Sequence, residues 1–229
     1  AWDKAEFEDA LKKLKDSGVE WPIYVRQNKP STEYYTWMPF VASFGGDYMN
    51  RETGLCTGTL DGDNTIASFD FLAKLFTDGY ADATCDYEDS FQKGENALAL
   101  YGHSKYQDYK AALGDDLILV PLPDMGHGVY TCSGSTVMIM TTGAQESGKD
   151  DAVWAMLQEA TNPDYIKMVV DVNGAVPARS SVMDAIPDYC EGGTLYLYRQ
   201  QLESGISFLR PYTPAHTVSY THLRAHETV

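Results

Sequence analysis

Three groups of residues in this 229-residue chain have the types and spacing that chemistry requires. The first is Gly102-His103-Ser104-Lys105-Tyr106, which follows a short apolar run and opens a helical one. That is the strand–turn–helix setting of a hydrolase nucleophile, and Asp124 and His127 follow in the chain order of a Ser–Asp–His triad. The pattern fails at its last position, where Tyr106 replaces the small residue a tight elbow needs. No His-Gly-Gly segment supplies an oxyanion hole either. The second group is His216, His222, His226 and Glu227; His222 and His226 lie four apart, as two metal ligands on one helix face would. The third is the aromatic segment Tyr34-Tyr35-Thr36-Trp37-Met38-Pro39-Phe40. Sugars present apolar CH faces ringed by hydroxyls, so their sites join aromatic platforms to a few directional polar groups. Tyr34, Tyr35 and Trp37 offer such platforms, with Tyr35 the best of the three; Trp37 and Phe40 equally suit a core.

Other constellations carry less. Asp61-Gly62-Asp63-Asn64 begins like a calcium loop, but its sixth position is Ile66 rather than Gly and its twelfth is Leu72 rather than Glu. A helix start fits better, because Ile66, Phe69, Leu72, Leu75 and Phe76 form an apolar stripe behind it. Cys56, Cys85, Cys132 and Cys190 show neither a CxxC pair nor a zinc spacing with histidine. A Cys56–Cys85 disulfide and free thiols both stay open. The residues therefore call for no metal and no cofactor. From Val218 onward the chain reads Val-Ser-Tyr-Thr-His-Leu-Arg-Ala-His-Glu-Thr-Val, which resembles a translated sequencing adapter. Residues 218–229 are expected to be foreign, and the paired histidines go with them.

The elements that must position these groups alternate in type. Asp3 with Glu6 three residues on is a capping-box pattern, Phe7, Leu11 and Leu14 make the first apolar stripe, and Gly18 stops the helix. Strands are expected at Trp21–Val25, Ala97–Tyr101, Leu117–Val120 and, longest, Val129–Met140. A short helical stretch is expected around Ser90-Phe91-Gln92, and further helices over 104–113, 149–161, 163–172 and 193–203, with Pro163 suited to a first turn. Such alternation indicates an α/β protein with helices covering a sheet.

Composition bounds the rest. With 44% hydrophobic and 12% aromatic residues the chain is long enough to bury a sizeable core. Lys plus Arg number 17 against 33 Asp plus Glu, so the net charge is −16. A surface this acidic repels phosphate backbones and anionic headgroups, which argues against nucleic-acid and membrane-surface partners; it also simply keeps a secreted protein dissolved. No apolar run is long enough to span a bilayer. The chain opens on Ala1-Trp2-Asp3 within what reads as a helix start, so its beginning is expected to be missing.

Six motifs in order carry a family resemblance. They are Trp2-Asp3-x-x-x-Phe7 with Leu11-Lys12-Lys13-Leu14, Phe44-Gly45-Gly46-Asp47, Phe91-x-x-Gly94-x-x-Ala97, Val120-Pro121-Leu122-Pro123, Gly174-Ala175-Val176-Pro177-Ala178-Arg179 and Arg210-Pro211-Tyr212-Thr213-Pro214. Together they resemble the family 1 extracellular solute-binding proteins of ABC transporters, the maltose-binding-protein-like group, over about residues 2–216. The resemblance implies a type II periplasmic-binding-protein-like fold of two α/β lobes, with most of the first lobe missing. Residues 1–132 would form the bulk of the second lobe and 133–180 a hinge crossing with the returning part of the first. Residues 181–217 would return to the second lobe. The implied function is binding without catalysis of a sugar, oligosaccharide or glycerophosphodiester, with delivery to ABC permease subunits. Ligand would bridge the lobes and favour a closed state. The protein would be a monomer, exported as a cell-surface lipoprotein or to the periplasm, and residues 1–217 alone would bind weakly or not at all.

The resemblance also nominates contacts. His103 and Ser104 sit at a strand's C-terminal end, where open α/β sheets bind ligands. Many relatives carry Trp where this chain has Ser104, so a smaller or more polar ligand is expected. Ser133, Gly134, Ala175 and Arg210 fall at positions that meet ligand in relatives. Arg210 can donate a fork of hydrogen bonds to vicinal hydroxyls or a phosphate, or form a surface ion pair. Two rivals remain: a two-lobe sensor domain, and a hydrolase using Ser104.

Overall fold

A computed structural model describes residues 2–26, 33–84, 89–135 and 137–211. The histidine-bearing tail, Tyr212–Pro214 and Cys85 lie outside the described residues. The chain divides into two compact units: residues 1–102, 120–133 and 206–229, and residues 103–119 and 134–205.

In the first unit, helix α1 (Lys4–Asp16) starts as its sequence requires. The Asp3 carboxylate accepts from Glu6 N–H at 2.9 Å, and the Glu6 carboxylate accepts from Asp3 N–H at 3.0 Å. Lys13 and Lys15 in the last turn suit the negative end of the helix, and Gly18, at φ 98°, turns the chain away. Strand β1 (Ile23–Val25) is wholly buried, as a strand covered on both faces should be. A wide helical turn, Glu33–Trp37, runs into α2 (Met38–Ser43), every residue of which is buried. Helix α3 (Asp63–Thr77) then precedes β2 (Leu98–Leu100), which pairs in parallel with β1 in the register Ile23 to Leu98 and Val25 to Leu100. Phe7, Leu11, Ile23, Val25, Phe40 and Phe71 meet in the core that results. Fully burying each such side chain contributes about 1.5–3 kcal/mol. A second parallel pair joins β3 (Thr131–Cys132) to β4 (Ser207–Phe208).

The second unit is helical: α4 (Tyr106–Leu113), α5 (Thr142–Glu146), α6 (Asp150–Ala160), α7 (Pro163–Asn173), α8 (Ser180–Asp184) and α9 (Tyr196–Glu203). Helix α7 has the clearest ends, because the Asn162 side chain accepts from Tyr165 N–H at 2.9 Å and Pro163 fills the first turn. Gly174 closes it in the left-handed conformation at φ 65°. The unit's core gathers Tyr106, Val170, Val182, Ile186, Tyr189 and Leu195.

Four expectations need correction. Among the described residues the strand read over 129–140 pairs only at Thr131–Cys132, with the two-residue β4. Leu117–Val120 joins no ladder among the described residues, and 89–94 is a run of turns. In α3 the buried face runs through Thr65, Ser68, Phe71, Leu72 and Leu75, leaving Ile66 exposed. The rotation is stabilised by polar groups: Thr65 Oγ1 donates to the Thr59 carbonyl at 2.8 Å, and Ser68 Oγ to the Thr65 carbonyl at 2.6 Å. No helix among the described residues is long and apolar enough to cross a membrane.

Candidate functional site

The turn before α2 carries Tyr34 and Tyr35 in contrasting settings. Tyr34 is 1% exposed, whereas Tyr35 is 44% exposed, and their rings meet edge to face at 5.0 Å. The Tyr34 hydroxyl donates to the Phe208 carbonyl at 2.5 Å and lies 3.3 Å from the Ser133 carbonyl. It thus ties the aromatic turn to the ends of both β3 and β4, which also join through a hydrogen bond between the Ser133 and Ser207 hydroxyls. Burial holds the Tyr34 hydroxyl well above the usual phenol range, so it stays a proton donor. Burial likewise pushes the Cys132 thiol up to about 12.

Arg210 follows β4 and is brought back over this turn. Its guanidinium lies 4.7 Å from the centre of the Tyr34 ring and 5.1 Å from that of Tyr35. Planar, weakly hydrated guanidinium suits such stacking. No carboxylate among the described residues pairs with it. Arg51 nearby is different. It pairs with Asp47 at 2.6 Å, donates to the Leu209 carbonyl at 2.7 Å and stacks on Phe208 at 3.9 Å. One guanidinium braces β4, and the other meets no carboxylate among the described residues.

The remaining candidates are dispersed. Trp37 is half-buried against the first core, and its buried indole N–H has no hydrogen-bond partner among the described residues. Ser133 is half-buried beside Tyr34, whereas Gly134 is exposed and falls in the second unit. In that unit His103 is half-buried, with its ring 6.4 Å from Tyr198, and burial lowers its pKa. Ser104 is exposed within a single tight turn, His103–Lys105. Ala175 follows the left-handed Gly174; its N–H donates to Asn173 Oδ1 at 2.8 Å, and its carbonyl accepts from the Tyr189 hydroxyl at 3.3 Å. The structure thus brings Tyr34, Tyr35, Ser133 and Arg210 together in one unit and places His103, Ser104, Gly134 and Ala175 in the other. Arg51, Cys132 and Phe208 complete the first cluster without any motif marking them, since their partners lie far away in the chain.

The triad reading finds no support. The Asp124 carboxylate accepts from the Gly126 and Gly128 N–H groups, at 2.8 Å each, and those bonds hold its pKa below the usual range. It is a turn residue, not the orienter of a catalytic histidine. Among the described residues no three His, Cys, Asp or Glu side chains gather as a metal site. A groove of about 380 Å³ opens elsewhere in the first unit, between Gly45-Gly46-Asp47 and the turn at the start of α3. It contains no aromatic platform and only small or short polar side chains, so the Tyr35–Arg210 surface is the better candidate.

A family model described as bacterial extracellular solute-binding protein matches residues 1–190. No match is found among the curated proteins. The GacH receptor of Streptomyces glaucescens, solved unliganded and with acarbose, aligns at a TM-score of 0.75 and 17% identity over 97% of this chain and 57% of its own. The sugar-binding protein MalE of Xanthomonas citri aligns at 0.75 and 16% identity over 98% and 57%. UgpB of Mycobacterium tuberculosis, in complex with glycerophosphocholine, aligns at 0.75 and 19% identity over 98% and 56%. These similarities establish an α/β periplasmic-binding-protein-like fold, of which this chain spans less than three fifths of the length of the solved proteins. The chain belongs to the bacterial extracellular solute-binding proteins, a non-catalytic family, and the hydrolase reading of Ser104 falls with that assignment.

Proposed function

We propose that this protein binds a small hydroxyl-rich solute outside the cytoplasm, a sugar, oligosaccharide or glycerophosphodiester, and delivers it to the permease of an ABC importer. The observation that carries the reading is the Tyr35–Arg210 pair. An exposed aromatic face stands beside a guanidinium whose donors meet no carboxylate among the described residues. A ring face accepts the CH surface of a sugar, and the fork of N–H donors suits vicinal hydroxyls or a phosphodiester. Acarbose on the GacH receptor and glycerophosphocholine on UgpB, both of the same fold, are the two chemistries this pair would serve.

Tyr34 supports from behind, because its own ring is buried. Ser133, Gly134 and Trp37 are proposed as further contacts or supports, and His103, Ser104 and Ala175 as the contacts of the second unit. With serine at 104 that surface offers hydrogen bonds rather than stacking, which favours a compact ligand. The protein is proposed to act as a monomer, either anchored at the cell surface as a lipoprotein or free in the periplasm. Titration calorimetry with maltose, acarbose and glycerophosphocholine, on the polypeptide encoded by the complete reading frame, tests the reading. At least one should bind saturably, and Tyr35→Ala and Arg210→Ala should each weaken it about tenfold or more. Binding by none of the three, or variants that bind as the parent does, would defeat it.

A further inference from the structure

Arg210 stands at the end of a chain of contacts that begins on α3. Strand β4 ends at Phe208, so the residues that follow need a fixing other than the ladder. The Leu209 carbonyl receives one, because Arg51 Nη1 donates to it at 2.7 Å. That carbonyl and the Arg210 N–H share one peptide plane, so a donor that fixes the first also fixes the second. The same guanidinium lies 3.9 Å from the centre of the Phe208 ring. Arg51 thus holds both residues immediately before Arg210.

Arg51 is itself held. Its Nε donates to the Asp47 carboxylate at 2.6 Å, and the Asp47 side chain is only 17% exposed, so the pair is weakly screened. The other Asp47 oxygen accepts from Tyr48 N–H at 2.7 Å, and Asp47 N–H donates to Thr65 Oγ1 on α3 at 3.2 Å. Gly46 permits that approach: a Cβ there would lie 2.5 Å from Thr65 Oγ1 and 2.9 Å from its Cα. Arg51 and Arg210 both act on the Cys132 thiol, so each guanidinium lies within the other's field. Neutralising Arg51 with Asp47 removes a repulsion that would push Arg210 off the tyrosine rings.

We propose that Arg51, anchored by Asp47, is a positioning residue of the solute site. It holds the segment 208–210 so that the Arg210 guanidinium stays over Tyr34 and Tyr35 before ligand arrives. The proposal rests on the reading of Tyr35 and Arg210 as the binding surface. A guanidinium placed in advance loses less side-chain freedom on binding, so Arg51 raises affinity without touching the ligand.

A double-mutant cycle tests it on the polypeptide encoded by the complete reading frame, with maltose, acarbose and glycerophosphocholine as probes. Arg51→Ala should weaken whichever probe binds by about fivefold or more, and by less than about twofold when Arg210 is already Ala. A loss that persists in full beside Arg210→Ala would overturn the proposal, because Arg51 would then touch the ligand itself or act on the fold alone. A second arm needs no ligand. In the parent, the ring currents of Tyr34 and Tyr35 displace the Arg210 side-chain proton resonances upfield, and Arg51→Ala should abolish that displacement. Its retention in Arg51→Ala would overturn the proposal. If no probe binds, or Arg210→Ala binds as the parent does, the reading of the site fails. The ring currents then still decide whether Arg51 places Arg210.

Discussion

At the scale of single residues, the tyrosine pair shows how position along a turn separates two roles. Tyr34 and Tyr35 are chemically identical, but one ring is buried with its hydroxyl on a strand carbonyl and the other faces solvent. Tyr34→Phe should destabilise the protein by about 1 kcal/mol, the net worth of one hydrogen bond. The cost stays modest because the Phe208 carbonyl still accepts from Ser133 N–H at 3.1 Å, so no buried acceptor is orphaned. Urea unfolding of the variant measures this, and a loss above about 3 kcal/mol would mean the hydroxyl holds more than β3 and β4. His103 supplies a pH dependence. Burial lowers its folded pKa below the unfolded value, so it favours the folded state when neutral and loses that contribution as pH falls through the folded pKa. The unfolding midpoint should therefore drop below about pH 6.5, the ordinary histidine value, and the slope should flatten in His103→Gln. An unchanged slope would show that other groups carry the titration.

At the scale of elements, local chemistry was legible wherever an end carried its own signal. The capping box at Asp3 and Glu6 and the Pro163 start were readable, since each is satisfied within one turn, whereas the Asn162 cap and the Gly174 stop came from the structure. Gly174→Ala should cost about 1 kcal/mol, because a Cβ is strained at φ 65° and would sit 3.1 Å from Gln107 Cγ. Asn162→Ala should cost about 1 kcal/mol through the lost cap. Thermal unfolding distinguishes both from surface changes, which stay within about 0.5 kcal/mol. Strands were less legible. The stretch 129–140 predicts a long strand, but a ladder needs a partner, and among the described residues β4 supplies one for two residues. In α3 the stripe read from apolar residues was turned by Thr65 and Ser68, whose hydroxyls find carbonyls inside the fold, a choice no periodicity reveals.

At the scale of the whole chain, charge dominates. A net charge of −16 repels itself in the compact state. Raising sodium chloride from about 10 to 150 mM shortens the Debye length from about 30 to 8 Å and should raise the unfolding midpoint. A midpoint that falls with salt would show that the surface ion pairs outweigh the repulsion.

The order of six short motifs and the alternation of helix and strand signals pointed to the fold class and the family, because these are properties of neighbours in sequence. The same residues nominated Tyr35 and Arg210 as separate candidates, 175 positions apart in numbering. Only the tertiary structure decided that they meet. The parallel pairing of β3 with β4 carries Arg210 back over the aromatic turn, and Tyr34 locks that return through the Phe208 carbonyl. It also left Arg210 with no carboxylate partner among the described residues, while Arg51 closes on Asp47. Contacts closed by long loops depend on which elements pack, and a linear pattern does not encode that packing.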